Sequence, residues 1–245
     1  MRATAELAAY AERHFVPLDE LAALAAATTE RVGALIDARA IPGPIYSIWP
    51  NGAFWSPIGG AHGGAPAGTP SHWYTPAAAW WIRLAGDMDP AIAAETLQAR
   101  FRADFVRRLA SDPDAALGYP QACREGRPSA DLAATAADSE WNDWIDGGYG
   151  VCLRQWNAYH AITKTCRRAA ILAITDEGRA ETLPRDHLDT LIEVLAELES
   201  VMLPFAPHQR PHGTPGLWLD AMLDRYGLGR MRETTVAASP ARLCA

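Results

Sequence analysis

The chain has 245 residues, of which 49% are apolar and 21% charged, the composition of an ordinary globular protein. Its net charge of −7 argues against a general nucleic-acid binder, because such proteins concentrate lysine and arginine. The longest apolar run, about residues 169–174, is far shorter than the roughly 18–20 residues of a membrane span. The N-terminus also lacks the apolar core of a signal peptide, so we expect a cytoplasmic protein with no membrane partner.

Residues 1–41 form the first predicted unit. Apolar spacing predicts three short helices within residues 3–39, with Thr28 as the N-cap of the third. The stretch ELAALAAATTERVGALIDARAIPGP resembles the helix-turn-helix that opens MerR-type regulators. Two interpretations are open, a DNA reader or a helical packing unit. We prefer the packing unit, because Ala26 stands where the turn usually has glycine and two acidic residues balance the arginines of the third helix.

Residues 42–76 form the second unit, which holds 7 glycines and 7 prolines and therefore excludes regular helix. Within it, IYSIW-PNG-AFW predicts a β-hairpin, since Asn-Gly readily adopts the positive φ angles of a tight turn. We expect a loop from Ser56 to Ser71, and helix again from Thr75-Pro76.

Residues 77–245 are predicted to be a helical body. Helices are expected at Pro90 to Ala110, Ser139 to Asp146, Trp156 to Ile174, Arg185 to Leu203 and Pro215 to about Tyr226. The fold class is therefore mainly α, with one helix-turn-helix-like unit and one small β-hairpin in a single compact domain.

Aromatic side chains are concentrated in and just after the glycine-rich segment. Because so little regular structure is predicted there, we interpret them as the wall of a pocket for a flat ligand, with an ordinary core as the alternative. The aromatic residues are Tyr46, Trp49, Phe54, Trp55, Trp73, Tyr74, Trp80 and Trp81.

The same stretch contains no acidic residue from Ala38 to Gly86, so its titratable chemistry falls to His72, His62 and Arg83. A histidine near pH 7 is a capable general acid or base, and an arginine can pair with a carboxylate. The alternatives are that His62 is merely exposed, that His72 is held by packing, and that Arg83 lies on a solvated helix face. If no histidine acts, the next candidates are Asp143 and Asp146.

Other chemistry is constrained by a few single residues. Lys164 is the only lysine, beside 21 arginines, so an amine nucleophile would have to be Lys164 or the N-terminus. Pro211 interrupts helical pairing of His208 with His212, and we expect no metal site. The cysteines have no CxxC spacing, so we expect reduced thiols; they are Cys123, Cys152, Cys166 and Cys244. The glycine-rich turn after Asp146 offers three further side chains for a pocket, Tyr149, Cys152 and Arg154.

The chain resembles a bacterial family of natural-product biosynthesis in four segments. They are the helix-turn-helix-like start, IPGPIYSIWPNGAFW, WNDWIDGGYGVCLR and PFAPHQRPHGTPGLWLDAMLDRYGL. That family is the β-carboline-forming Pictet–Spengler enzymes of the marinacarboline and kitasetaline pathways. The resemblance implies a homodimer without metal or organic cofactor that condenses L-tryptophan or a relative with an aldehyde. Acid–base catalysis and positioning suffice for such a reaction.

The resemblance also implies a glutamate acting with an arginine and a histidine in this region. Here Ser47 stands where relatives are expected to have the arginine, and His72 about where the carboxylate is expected. We therefore predict His72 as the acid–base residue and His62 as the second. Substrate binding is predicted at Tyr46, Ser47, Trp49, Phe54, Trp55, Trp73, Tyr74 and Arg83. The alternative functions are a transcriptional regulator and a non-catalytic binder of aromatic ligands.

The homodimer is expected from the resemblance and from one apolar helix face, which is also consistent with internal core. That face comprises Leu188, Leu191, Ile192, Leu195 and Leu198.

Overall fold

A computed structural model describes residues 2–229, with side chains from residue 6 onward. The chain begins with α1 (Arg2–His14), α2 (Leu18–Leu24) and α3 (Thr29–Asp37). These confirm the three predicted helices. Thr28 caps α3, its hydroxyl accepting the backbone N–H of Arg31 at 3.1 Å. In the turn between α2 and α3, Ala26 adopts a φ of 53°, a left-handed conformation that glycine would occupy at lower cost.

A four-stranded antiparallel sheet comes next in the chain, in the order β3-β2-β1-β4. Its strands are β1 (Tyr46–Ile48), β2 (Phe54–Ser56), β3 (Gly60–His62) and β4 (Ser71–Trp73). The β1–β2 hairpin confirms the prediction, but the stretch expected to be one loop contains β3. The reason is local: the Ser56 hydroxyl accepts the Gly59 N–H at 3.0 Å, and Gly60 takes a φ of 69°, which turns the chain back onto β2.

Helices make up most of the remainder and confirm the mainly α class. They are α4 (Ala78–Ala85), α5 (Pro90–Leu109), α6 (Ala115–Gly118), α7 (Ala130–Ile145), α8 (Ala158–Ile174), α9 (Arg185–Val201) and α10 (Ala221–Arg225). Shorter pieces are the ladder β5 (Cys123–Arg124) and β6 (Arg127–Pro128), the 3-10 helices Pro120–Ala122 and Arg210–His212, and the π-helical turn Pro215–Asp220. Asp89 and Asn157 cap α5 and α8. Helix α7 begins well before Ser139, because the preceding alanine-rich stretch is also helical.

Buried residues from all three predicted segments form one continuous core. Its centre is aromatic: the ring of Trp156 stacks on Phe101 at 4.9 Å and on Trp144 at 5.1 Å, measured between ring centroids. Helix α5 packs on α7, and α8 packs on α9. The apolar face of α9 on which the sequence placed a dimer contact is therefore largely internal, with Leu191, Leu195 and Leu198 buried.

No helix within residues 2–229 has the length and apolarity needed to cross a membrane. Three of the cysteines, Cys123, Cys152 and Cys166, are free thiols, as predicted. Cys244 lies outside the described residues.

Candidate active site

One face of the sheet brings together three of the predicted site residues. Ser47 is paired across the strands with both Trp55 and His72, so the three side chains lie on the same face. The Ser47 hydroxyl and His72 Nδ1 are 2.9 Å apart, in hydrogen-bonding contact. Ser47 is buried, while His72 and Trp55 are exposed. Trp49, which follows the end of β1, is half-buried.

The other face carries His62, so the two predicted catalytic histidines are not brought together. Tyr46 pairs with Trp73, and Phe54 pairs with His62. The Phe54 and His62 rings stack at 4.9 Å, and His208 meets both of them edge-on. Burial, and then the charge of His62, lower the pKa of His208.

Two predicted ligand contacts have structural roles. Tyr74 is buried and forms a two-bond bridge with Val16, 2.8 and 3.0 Å, that ties α1 to the sheet. The Arg83 guanidinium donates to the Leu24 carbonyl at the end of α2, at 2.7 Å. Arg31 of α3 makes the reciprocal contact, donating to the carbonyls that come after α4, and these contacts favour the interpretation of α2–α3 as a packing unit.

Behind the sheet lies a buried polar cluster in which sequence reasoning missed Tyr10 and Gln209. Tyr46 donates to Oε1 of Gln209 at 2.9 Å, and the Tyr10 ring approaches the Tyr46 ring at 6.2 Å. Burial raises the pKa of both tyrosines far above the ordinary range, so both hydroxyls keep their protons. The Tyr10 hydroxyl and Gln209 Nε2 are buried without a partner among the described residues. Gln209 can lie this close to the backbone of residue 59 because that residue is glycine: a Cβ on Gly59 would lie 3.2 Å from Gln209 Nε2.

The only lysine of the chain belongs to the same cluster. Lys164 Nζ donates to the Cys152 sulfur at 3.2 Å and lies 4.6 Å from the centre of the Tyr149 ring. Cys152 is buried and within electrostatic range of Tyr10, Tyr46 and Tyr149. The turn after Asp146 thus contributes Tyr149 and Cys152, two of the three side chains that the sequence proposed for a pocket, while Arg154 is exposed.

Glu140 supplies a buried carboxyl group, with the residue only 8% exposed. Tyr119 donates to Oε1 at 2.8 Å, and the Tyr149 hydroxyl lies close enough to lower the pKa of the carboxyl as a hydrogen-bond donor. Oε2 is buried and makes no hydrogen bond of regular geometry within the described residues. Burial raises the Glu140 pKa, while Tyr149, Tyr119 and the charge of Lys164 partly oppose the rise. The sequence analysis named Asp143 and Asp146 as the next acid–base candidates after the histidines. Both are exposed and lie about one to two helical turns after Glu140.

Glu140 has a signal in the sequence. It lies on the apolar stripe of α7 that includes Ala133, Ala136, Ala137 and Trp144, where a carboxylate is costly to bury. Buried carboxyl groups with shifted pKa values are often general acids or bases. Among the described residues no group of three metal-ligating side chains occurs, and His208 faces His62 and Phe54.

The family comparison matches residues 97–227, just over half of the chain, to a family of unknown function, DUF6058. The chain belongs to the DUF6058 family. The matched stretch includes Glu140, Tyr149, Cys152, Lys164 and Gln209, while the sheet and the N-terminal helices precede it. No curated protein and no solved structure matches this DUF6058 chain. None of the comparisons connects it to the Pictet–Spengler enzymes.

Proposed function

We propose that this DUF6058 protein is a cofactor-independent biosynthetic enzyme that condenses tryptophan or a related aromatic amine with an aldehyde. The reaction is a cyclisation of the Pictet–Spengler type. The amine and aldehyde lose water to form an iminium, the aromatic ring attacks it, and a base then removes the ring proton. The sequence resemblance supports the reaction type, and the proposal includes the homodimer and the cytoplasmic setting that the sequence analysis expects.

The observation that carries the proposal is the buried carboxyl of Glu140, one oxygen of which makes no hydrogen bond of regular geometry within the described residues, although Tyr149 lies near the carboxyl. An unpaired buried acceptor costs folding energy, so a substrate that supplies the missing donor is a natural explanation. As a carboxylate, Glu140 is the base for the ring proton. Burial moves its pKa upward, toward the neutral range in which a general base works well.

Proton donors lie on both sides of that carboxyl. Tyr119 donates to it directly, and Tyr149 approaches it. Burial raises the pKa of both hydroxyls, so each remains protonated and able to donate to the oxygen that leaves as water. Glu140 also provides a carboxylate that the acid-free stretch before it lacks.

Turnover measurements test the proposal. The full chain is incubated with L-tryptophan or tryptamine and a panel of aldehydes that includes acetaldehyde, phenylacetaldehyde and glyoxylate. We expect a product with the mass of the two reactants minus water, formed faster than without protein and as one stereoisomer. No rate above the uncatalysed reaction with any pair, despite saturable amine binding, would make the protein a non-catalytic binder.

Paired variants assign the base. Glu140→Gln should lower turnover by about 10²-fold or more, the scale of general acid–base catalysis. Asp143→Asn, on the same helix but exposed, is the matched control and should retain the wild-type rate. His72→Ala tests the residue that the sequence alone predicts; its exposed position, on the opposite sheet face from Tyr46, leads us to expect a change of less than about threefold. A 10²-fold loss in His72→Ala with an active Glu140→Gln would transfer the role to the His72–Ser47 pair.

A further inference from the structure

A cavity lies between α5, the start of α8 and the outer side of α4. Its volume is about 750 Å³, within the usual range of small-molecule pockets, about 300–1,000 Å³. We call it the α5–α8 groove. Its lining shares no residue with the cluster around Glu140, so binding in the groove does not depend on the proposed reaction.

Two aromatic rings in the groove are unusually open to solvent. Trp80 is 42% exposed and Tyr159 is 48% exposed. The neighbouring Trp81, by contrast, is buried and donates its Nε1 hydrogen to the Trp156 carbonyl at 2.9 Å. The core thus uses Trp81, while much of Trp80 is available to a ligand. Covering such rings with a flat partner gains hydrophobic and stacking energy.

Arginines accompany both rings. The Arg100 guanidinium lies 5.7 Å from the centre of the Trp80 ring, and the Arg108 guanidinium lies 6.0 Å from that of Tyr159. Arg107 and Arg108 both pair with Asp104, whereas Arg100 forms no ion pair with any residue that the structure describes. Three arginines against one aspartate leave the groove positive in a chain of net charge −7. This local charge is complementary to an anion.

A neutral hydrogen-bond acceptor completes the lining. His160 Nδ1 lies 3.0 Å from Oδ1 of Asn157. Because an amide oxygen only accepts, Nδ1 carries the proton and Nε2 has a free lone pair. Burial, with a contribution from the charge of Arg154, lowers the pKa of His160 to about 4, so the ring is uncharged at neutral pH.

We propose that the α5–α8 groove binds a small planar aromatic carboxylate that carries a ring N–H. The ring system contacts Trp80 and Tyr159, the carboxylate pairs with Arg100, and the N–H donates to His160 Nε2. Each of the three chemical features of the ligand therefore has its own partner in the groove.

Three probes separate these features in isothermal titration calorimetry with the full chain. Indole-3-acetate has all three features, indole-3-acetamide lacks the charge, and 1-methylindole-3-acetate lacks the N–H. We expect indole-3-acetate to bind saturably, the amide at least tenfold more weakly, and the N-methyl compound several-fold more weakly. Binding of the acetate should weaken as salt is raised, since the groove is open to solvent.

Variants locate the site. Trp80→Ala should weaken indole-3-acetate at least tenfold, and Arg100→Gln should weaken the acetate but not the amide. Leu117→Ala removes another exposed apolar side chain and Arg185→Gln another exposed arginine, and neither should change the affinity. Melting temperatures confirm that each variant is folded.

Other results would overturn the proposal. They are no saturable binding of indole-3-acetate, equal binding of acetate and amide, or unchanged affinity in a folded Trp80→Ala protein. A short oligothymidylate that binds more tightly than indole-3-acetate and is released by the same two substitutions would instead make the groove a nucleic-acid surface.

Discussion

Replacing Glu140 by glutamine should stabilise the protein while it lowers turnover. Glutamine has nearly the same shape, and its Oε1 can still accept the hydroxyl of Tyr119, which donates to Glu140 at 2.8 Å. The substitution removes the cost of burying a negative charge in a residue that is 8% exposed. Single stabilising substitutions commonly amount to about 0.5–2 kcal/mol. A gain near 1 kcal/mol raises the Tm of a chain this long by roughly 2–4 °C.

The sign of the pH dependence is set by the direction of the pKa shift. Burial raises the pKa of Glu140 in the folded state above its ordinary value of 4.5. Between those two pKa values the folded state binds more protons than the unfolded state, so stability falls as pH rises through that window and then levels off. The Tm of Glu140→Gln should therefore exceed that of the wild type by an amount that grows as the pH rises above 4.5 and then reaches a plateau.

Differential scanning fluorimetry of wild type, Glu140→Gln and Asp143→Asn from pH 4.5 to 8.5 measures this difference. Asp143 is exposed, so its variant should track wild type at every pH. A Tm for Glu140→Gln that is lower than wild type across the whole range would refute the reasoning. It would mean that attraction between Glu140 and Lys164 outweighs the cost of burial, and that the carboxylate is a structural ion.

Three further predictions concern other parts of the molecule. Lys164→Leu removes a charge that lowers the pKa of Glu140, so the acidic limb of the pH profile of kcat/KM should move to higher pH. Lys164→Arg keeps the charge and should leave that limb nearly in place. Identical profiles for Lys164→Leu and the wild type would contradict this prediction. Arg167, whose side chain is 11% exposed, bridges Asp112, Asp114 and Glu197, so Arg167→Met should cost about 3–5 kcal/mol at pH 7. The loss should shrink in acid as Asp114, whose pKa burial raises, becomes neutral; equal losses of Tm at pH 7 and in acid would show that lost packing dominates. Light scattering at micromolar concentration should report twice the chain mass of 26.5 kDa if the proposed homodimer is right, and the single-chain mass would remove it.

Local signals made the helices and the first hairpin predictable. The Thr28 cap, the Asp89-Pro90 helix start and the turn that ends at Gly52 each act within a few residues, and the structure has all three. In that turn Gly52 has a φ of 88°, whereas Asn51 does not adopt the positive φ that the sequence predicts for it. The third and fourth strands are different, because β4 pairs with β1 across more than twenty intervening residues and nothing in their own sequence requires it. The hydrophobic pattern of α9 was also readable, but a pattern does not say whether the apolar face meets another helix or another chain.

The candidate site was only half predictable for a similar reason. Strand alternation sends Tyr46 and Ser47 to opposite faces, so a cluster of aromatics and histidines in sequence becomes two separate groups in space. The carboxyl group that the glycine-rich segment lacks is supplied by Glu140, far along the chain on α7. An acidic residue on the apolar face of a helix indicates a buried carboxyl group in any sequence. The residues that surround that carboxyl group cannot be named without the fold.

The two halves of the proposed site belong to different parts of the chain. Glu140, Tyr149 and Lys164 lie within the stretch that matches DUF6058, and the hydrogen bond from Tyr46 to Gln209 joins that stretch to the sheet. In the proposed reaction the groups that move protons therefore belong to the family domain, while the preceding residues supply aromatic wall.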